Sequence, residues 1–220
     1  MQIDAAADPE LVATAIRSVA VSGSATLLAA LAGIPAGVAI AASHARGKRA
    51  LTALLTAGMG MPTVLVGLVL MLLLWREGPL GEWALLYTPA ALVLGQTVIA
   101  FPVVAALTIA AVDALPARVD RQILALGASP VQRGRLLARE ARRGIVVALL
   151  AGFGHALSEV GAAMMLGGNV PGRTRVLTTA TLQYARMGEF QLAIGLAAVL
   201  FAIALLVNAS AALLSGGERE

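Results

Sequence analysis

The chain has 220 residues, 59% of them hydrophobic and only 13% charged, and a mean hydropathy of +0.87 excludes an ordinary soluble domain. Its net charge of +4 rests on arginine, and with a single lysine, 4% aromatics and no basic helix outside the loops, a nucleic-acid surface is excluded as well. The lack of cysteine removes disulfides, thiolate metal sites and cysteine nucleophiles.

The chain opens MQIDAAADPE, with Asp4, Asp8 and Glu10 where a signal peptide needs positive charge, so no cleaved leader is expected. Five stretches then satisfy the need for about 20 apolar residues per membrane-spanning helix: 18–42, 51–75, 90–112, 144–166 and 191–214. The fourth is the most polar, carrying His155, Ser158 and Glu159. An all-α membrane protein with about five spans is the fold class this pattern predicts, in a single domain over 1–220. Glycines sit at helix-contact spacing, with Gly33 and Gly37 around Pro35, Gly58 and Gly60 before Pro62, and Gly95 before Pro102. In lipid such faces let backbones approach closely, so a tight bundle follows.

Lys and Arg accumulate in cytoplasmic loops. Arg46, Lys48 and Arg49 in loop 43–50, the seven arginines of loop 113–143 and Arg219 make eleven on one side. Arg17, Arg76, Arg173, Arg175 and Arg186 make five on the other. The expected orientation is N-terminus outside and C-terminus cytoplasmic.

The richest of these loops contains RQILALGASPVQRGRLLAREARR, residues 121–143. Ile123, Leu124 and Leu126 form a short apolar face ahead of Gly127, and Ser129-Pro130 restarts a helix toward the fourth span. A shaped element of this kind is either a docking surface or an interfacial helix on anionic lipid. Within the fourth span, His155 and Glu159 are expected four residues apart on one helix face with Ser158 beside them, lining or gating a path or else joining helices. Glu159 is assigned a gating or packing role, because a carboxylate repels an anion. The external segment 167–190 offers Arg173 and Arg175 as charge and Asn169, Thr178 and Thr179 as neutral donors, either for an anion or, in the arginines' case, as a docking rim.

The run ALGASPVQRGRLLAREARRGI, followed by GFGHALSEVGAAMMLGGNVPGRTRVLTTA, resembles the permease subunits of ATP-binding-cassette importers for oxyanions, and the tungstate branch above the molybdate branch at LAREARRGI and MMLGGN. The likeness extends from about Ser18 to Asn208, with supporting stretches SGSATLLAALAGIPAGV, GMPTVLVGLVLMLLL and GPLGEWALLYTPAALVLGQTVIAFPVVAAL. It implies a type I importer bundle acting as a homodimer, an extracytoplasmic oxyanion-binding protein, and two ATPase subunits that use ATP and magnesium. It also implies that the loop around Arg121, Ile123, Leu124, Leu126, Gly127, Ala128 and Ser129 is the coupling helix gripped by the ATPase. The family loop pattern is Glu-Ala-Ala, three residues, then Gly. Here only Gly127 matches, with Arg121, Gln122 and Ile123 in the first three places and Arg139-Glu140 replacing a later Leu-Pro.

The chain lacks a phosphate-cradling loop of its own: Lys48 is followed by Arg49, and Ala42 stands where the first glycine belongs. It is therefore expected to bind no cofactor and no metal, and to draw its energy from a partner. A Ser158–His155 hydrolase, a passive channel and an inert membrane scaffold are the competing readings. Ser158 and His155 lie three apart on one predicted helix and lack a nucleophile elbow, which disfavours the first.

Overall fold

The computed structural model describes residues 9–43 and 45–216, with side chains described through residue 209. Arg219, counted above among the cytoplasmic cations, lies outside the described residues. Ten α-helices are present among them and no strand: α1 (Pro9–Ala42), α2 (Lys48–Met59), α3 (Thr63–Leu74), α4 (Pro89–Asp113), α5 (Ala117–Ala125), α6 (Pro130–Glu140), α7 (Arg142–Leu157), α8 (Gly161–Gly167), α9 (Leu177–Arg186) and α10 (Phe190–Gly216), with one 3₁₀ turn at Gly81–Trp83.

Helices α1 and α4 form the centre, and α7 lies against both. The buried side of α1 is built almost wholly from small residues, among them Thr14, Ser18, Ser22, Ala25, Ala29, Gly33 and Gly37. A β-carbon at Gly37 would sit 2.8 Å from the Ala105 carbonyl oxygen, so glycine sets the distance between the two backbones. Ser18 and Thr26 spend their hydroxyls on the Thr14 and Ser22 carbonyls one turn back, whereas the buried Thr108 hydroxyl opposite Gly37 has no partner among the described residues.

Three helices, α1, α4 and α10, are long and apolar enough to cross a membrane unbroken. The stretches 51–75 and 144–166, read from sequence as single spans, are bent pairs: α2 and α3 turn by 94°, α7 and α8 by 60°. At the first break Gly60 and Met61 leave the helix and Pro62, which lacks an N–H and disfavours a helical residue before it, precedes α3. At the second the polar triplet Ser158-Glu159-Val160 interrupts the ladder. Counted as pairs they bring the number of candidate spans to five. The first span is also longer than expected, since α1 is already helical at Pro9, the first described residue.

Segment 167–190 holds an unpredicted helix, α9, whose Leu177 and Ala180 pack on Leu196 of α10, with Leu11 and Ala15 of α1 beside them. In contrast α2 buries no residue, and only 11% of the apolar window of α10 is covered.

Candidate functional site

Three features are aligned along the bundle: an elbow at one end, the two helix breaks in its middle, and a clamped loop at the other end.

At the elbow, α5 ends at Ala125 and Gly127 takes φ +73°, a left-handed conformation that glycine adopts without a Cβ penalty. The amides of Gly127 and Ala128 return to the carbonyls of Leu124 and Ile123. Ser129 then caps α6: its hydroxyl accepts from the Gln132 amide at 3.4 Å, while the Gln132 side chain accepts from the Ser129 amide at 2.8 Å, with Pro130 at the first helical position. The turn is thus fixed locally. It is also fixed globally, since Arg133 donates twice to the Asp120 carboxylate, at 2.7 and 2.8 Å, and once to the Ala42 carbonyl at the end of α1. The hydrogen bond that Arg133 donates to Asp120 raises its guanidinium above the ordinary value, so the arginine stays charged at any physiological pH.

The residues predicted as one apolar face divide here. Ile123 turns inward, 7% exposed against Val38, Ile109 and Leu137, and Ala128 is half-buried against the same cluster. Ile123 therefore anchors the elbow instead of contributing to its outer face, because α5 has to bury one side against α1 and α4. Leu124 and Leu126 point outward at 48% and 86% exposure, with Arg121, Gly127 and Ser129 exposed beside them. Leu126 is an apolar side chain presented with almost no intramolecular contact.

In the middle of the bundle the two breaks meet. A β-carbon on Gly161 would come within 2.7 Å of Val64, and one on Gly67 within 2.7 Å of the Ala162 backbone, so α3 and α8 interleave through glycine. Glu159 is only 5% exposed, and its Oε1 accepts from the Ala162 amide at 2.7 Å, capping α8. Its own carbonyl accepts from the Thr178 hydroxyl at 2.8 Å, which ties the break to α9. The expected His155/Glu159 pair on one helix face is not formed, since α7 ends at Leu157 and Glu159 lies in the break. His155 is half-buried and Ser158 exposed, and the Ser158 hydroxyl donates to the His155 main-chain carbonyl at 3.2 Å and not to the imidazole. That arrangement offers no activated nucleophile.

At the far end the expected donor surface is largely consumed. Thr179 exchanges both its hydroxyl functions with the Val176 backbone and is 0% exposed, and Thr178 is bound to Glu159. These two threonines therefore face inward and leave no hydroxyl for an external anion, because α9 packs the side that carries them. Asn169, at φ +52°, donates to Gln183 at 2.6 Å. Arg175 binds Glu10 and Gln183, both at 3.1 Å, and Arg17 donates to the Arg175 carbonyl, so this arginine clamps the first turn of α1 to α9. Arg173 is exposed. Arg175→Ala is expected to cost about 1–3 kcal/mol through loss of charged hydrogen bonds, while Arg173→Ala leaves stability unchanged. Thermal unfolding of the detergent-solubilised protein followed by size exclusion measures the difference.

Sequence reasoning missed both breaks, helix α9, and the role of Arg133. The Gly60-Met61-Pro62 triplet was the available signal for the first break and the polar triplet at 158–160 for the second.

Comparison with known proteins agrees with this architecture. Residues 33–219 match the model of the family described as binding-protein-dependent transport system inner membrane component. A Haloferax volcanii protein named "Probable anion ABC transporter permease protein" is 42% identical over 204 residues, covering 90% of this chain and 88% of that one. The tungstate uptake system permease protein of Peptoclostridium acidaminophilum is 37% identical, covering 95% and 92%. Among solved structures, a chain from the MetNI methionine ABC transporter in inward-facing conformations superposes with a TM-score of 0.78 over 96% of both chains at 19% identity, a likeness of fold alone.

Proposed function

We infer a transport role from the premise that the chain belongs to the family of binding-protein-dependent transport system inner membrane components. It is the permease subunit of an ATP-driven importer that carries an oxyanion, tungstate in the first place, across the cytoplasmic membrane. The reading of tungstate is supported by the relative from Peptoclostridium acidaminophilum. Molybdate, which shares the shape and charge of tungstate, is the second substrate this chemistry admits.

The observation that carries the reading is the elbow. An apolar side chain 86% exposed, on a turn fixed by a left-handed glycine, a capping box and a three-bond arginine clamp, is a rigid projection without an intramolecular purpose. It suits a groove in an ATPase subunit, which supplies the ATP and magnesium chemistry that this chain's residues do not provide. Arg133 makes the projection continuous with α1, so a push on the elbow moves the bundle. The interleaved breaks at Gly60–Pro62 and Ser158–Val160 are where such a push can change the path, because interrupted helices in a bundle place main-chain polar groups beside a cavity. Glu159 holds the second break and gates it.

A single chain leaves α2 without a buried residue, and five spans can hardly enclose a path while presenting an elbow at one end; a homodimer with the path between subunits resolves both. The arginine-rich end faces the cytoplasm, the N-terminus lies outside and the C-terminus inside. High-affinity capture belongs to a separate extracytoplasmic binding protein, for which the exposed Arg173 is a docking contact, since an importer path must bind weakly enough to release.

The test is reconstitution in liposomes with the candidate ATPase and binding protein. Tungstate is expected to stimulate ATP hydrolysis and to accumulate, molybdate less and sulfate least. Flux of any of these ions through the purified chain without ATP and partners would establish a passive channel instead.

A further inference from the structure

A cavity of about 670 Å³ opens beside α2 at the elbow end of the bundle, lined by Lys48, Arg49, Thr52, Ala53, Thr56 and Asp113. Its polar groups are ordered. Lys48, Thr52 and Thr56 recur every four residues, so they form one stripe along α2, and the next position in that series is Gly60, the first residue of the helix break. The stripe therefore runs from the loop end of the bundle to the place where the path is interrupted. No residue of α2 is buried, so the rest of the chain leaves the stripe uncovered.

The charges inside the cavity are unequal. Lys48 and Arg49 are opposed by Asp113 alone. The Lys48 ammonium donates to the Asp113 carboxylate and to the Ala41 carbonyl, each at 2.8 Å, and its side chain is 29% exposed. An ammonium has three donors, and among the described residues the third has no partner. Thr52, half-buried, and Thr56, exposed, lie one and two turns further along α2. One excess positive charge, a free N–H and two hydroxyls on one line are a donor set for a tetrahedral oxyanion.

We propose that this cavity is the cytoplasmic exit subsite for the transported oxyanion, with Lys48, Arg49, Thr52 and Thr56 as its donors and Asp113 as an internal competitor for Lys48. The proposal rests on the importer reading given above. Asp113 has a defined part in it: by competing for the ammonium it keeps the hold on the anion weak, and it takes the lysine back when the anion leaves. A subsite on an exit route needs that weakness.

The experiment uses the reconstituted complex with ATPase and binding protein, measuring tungstate uptake alongside ATP hydrolysis. Lys48→Met is expected to reduce uptake about fivefold or more, and Thr52→Val about threefold, the loss of one charged and one neutral hydrogen bond. Arg46→Gln, which removes a cation from the same loop but outside the cavity, leaves uptake unchanged. The double variant Lys48→Met/Asp113→Asn removes the ion pair without leaving a charge unpaired. If it restores wild-type uptake, the pair is only a structural tie and the proposal is overturned. Wild-type uptake in Thr52→Val together with Lys48→Met overturns it as well. Native mass spectrometry covers a third outcome: loss of a bound anionic phospholipid in Lys48→Met, with uptake unchanged, makes this a headgroup site and overturns the exit role. Failure of the wild-type complex to accumulate tungstate, molybdate or sulfate is distinct from all of these, because it removes the importer reading itself.

Discussion

Replacing Leu126 by Arg is expected to detach the chain from its ATPase more completely than any other single change. The side chain is 86% exposed and touches almost nothing in its own chain, so the substitution leaves the fold intact. Burying a leucine in a partner's groove contributes about 1.5–3 kcal/mol, so its removal weakens capture of the ATPase about ten- to hundredfold, more once the arginine must be desolvated. Co-purification of the ATPase with the variant, and binding-protein-stimulated ATP hydrolysis, both fall accordingly. A milder loss is expected for Leu124→Arg at 48% exposure. Full ATPase retention by Leu126→Arg would show that the elbow meets lipid and not protein. Substitution of Gly127 is a less direct probe, since a side chain at φ +73° costs about 1–2 kcal/mol within the turn itself.

The second large effect is expected at Glu159, where two substitutions divide structure from passage. Glu159→Ala deprives the Ala162 amide of its acceptor inside the bundle, a loss of about 1–3 kcal/mol, and lowers both the thermal midpoint and uptake. Glu159→Gln keeps an oxygen where the amide needs one, so the thermal midpoint holds. Uptake is nevertheless expected to fall about tenfold, equal to about 1.4 kcal/mol in barrier, because an acidic group at the break discourages an anion from resting there and an amide does not. Undiminished uptake with unchanged ATP coupling in Glu159→Gln would reduce Glu159 to a helix cap.

The reach of sequence reasoning can be read from these same residues. The apolar runs mark where the chain can cross a membrane, because length and hydropathy are properties of the residues themselves, but they do not show that two of the five runs are bent pairs. The elbow was legible for the same reason: Gly127 and Ser129-Pro130 are local signals with local geometry. What failed was long-range. Ile123 looks equivalent to Leu126 in sequence, and only the packing of α5 against Val38 and Ile109 turns it inward. Thr178 and Thr179 looked available because hydroxyls are donors, yet their partners, the Glu159 carbonyl and the Val176 backbone, become apparent only once α9 and the fourth-span break have formed. His155 and Glu159 looked paired because a helix was assumed to continue, and the break at Ser158 removed the periodicity on which that inference rested.

The last turn of α1 is grasped in an unusual manner, at the Ala41 carbonyl by Lys48 and at the Ala42 carbonyl by Arg133. Both handles are main-chain oxygens, so helix phase is what the fastenings depend on, while the alanine methyls pack into the cluster around Val38 and Ile109. Each added or deleted residue upstream rotates those oxygens by about 100° about the axis, away from both cations together. The number of residues in α1, more than their identity near its end, therefore keeps the two fastenings in step.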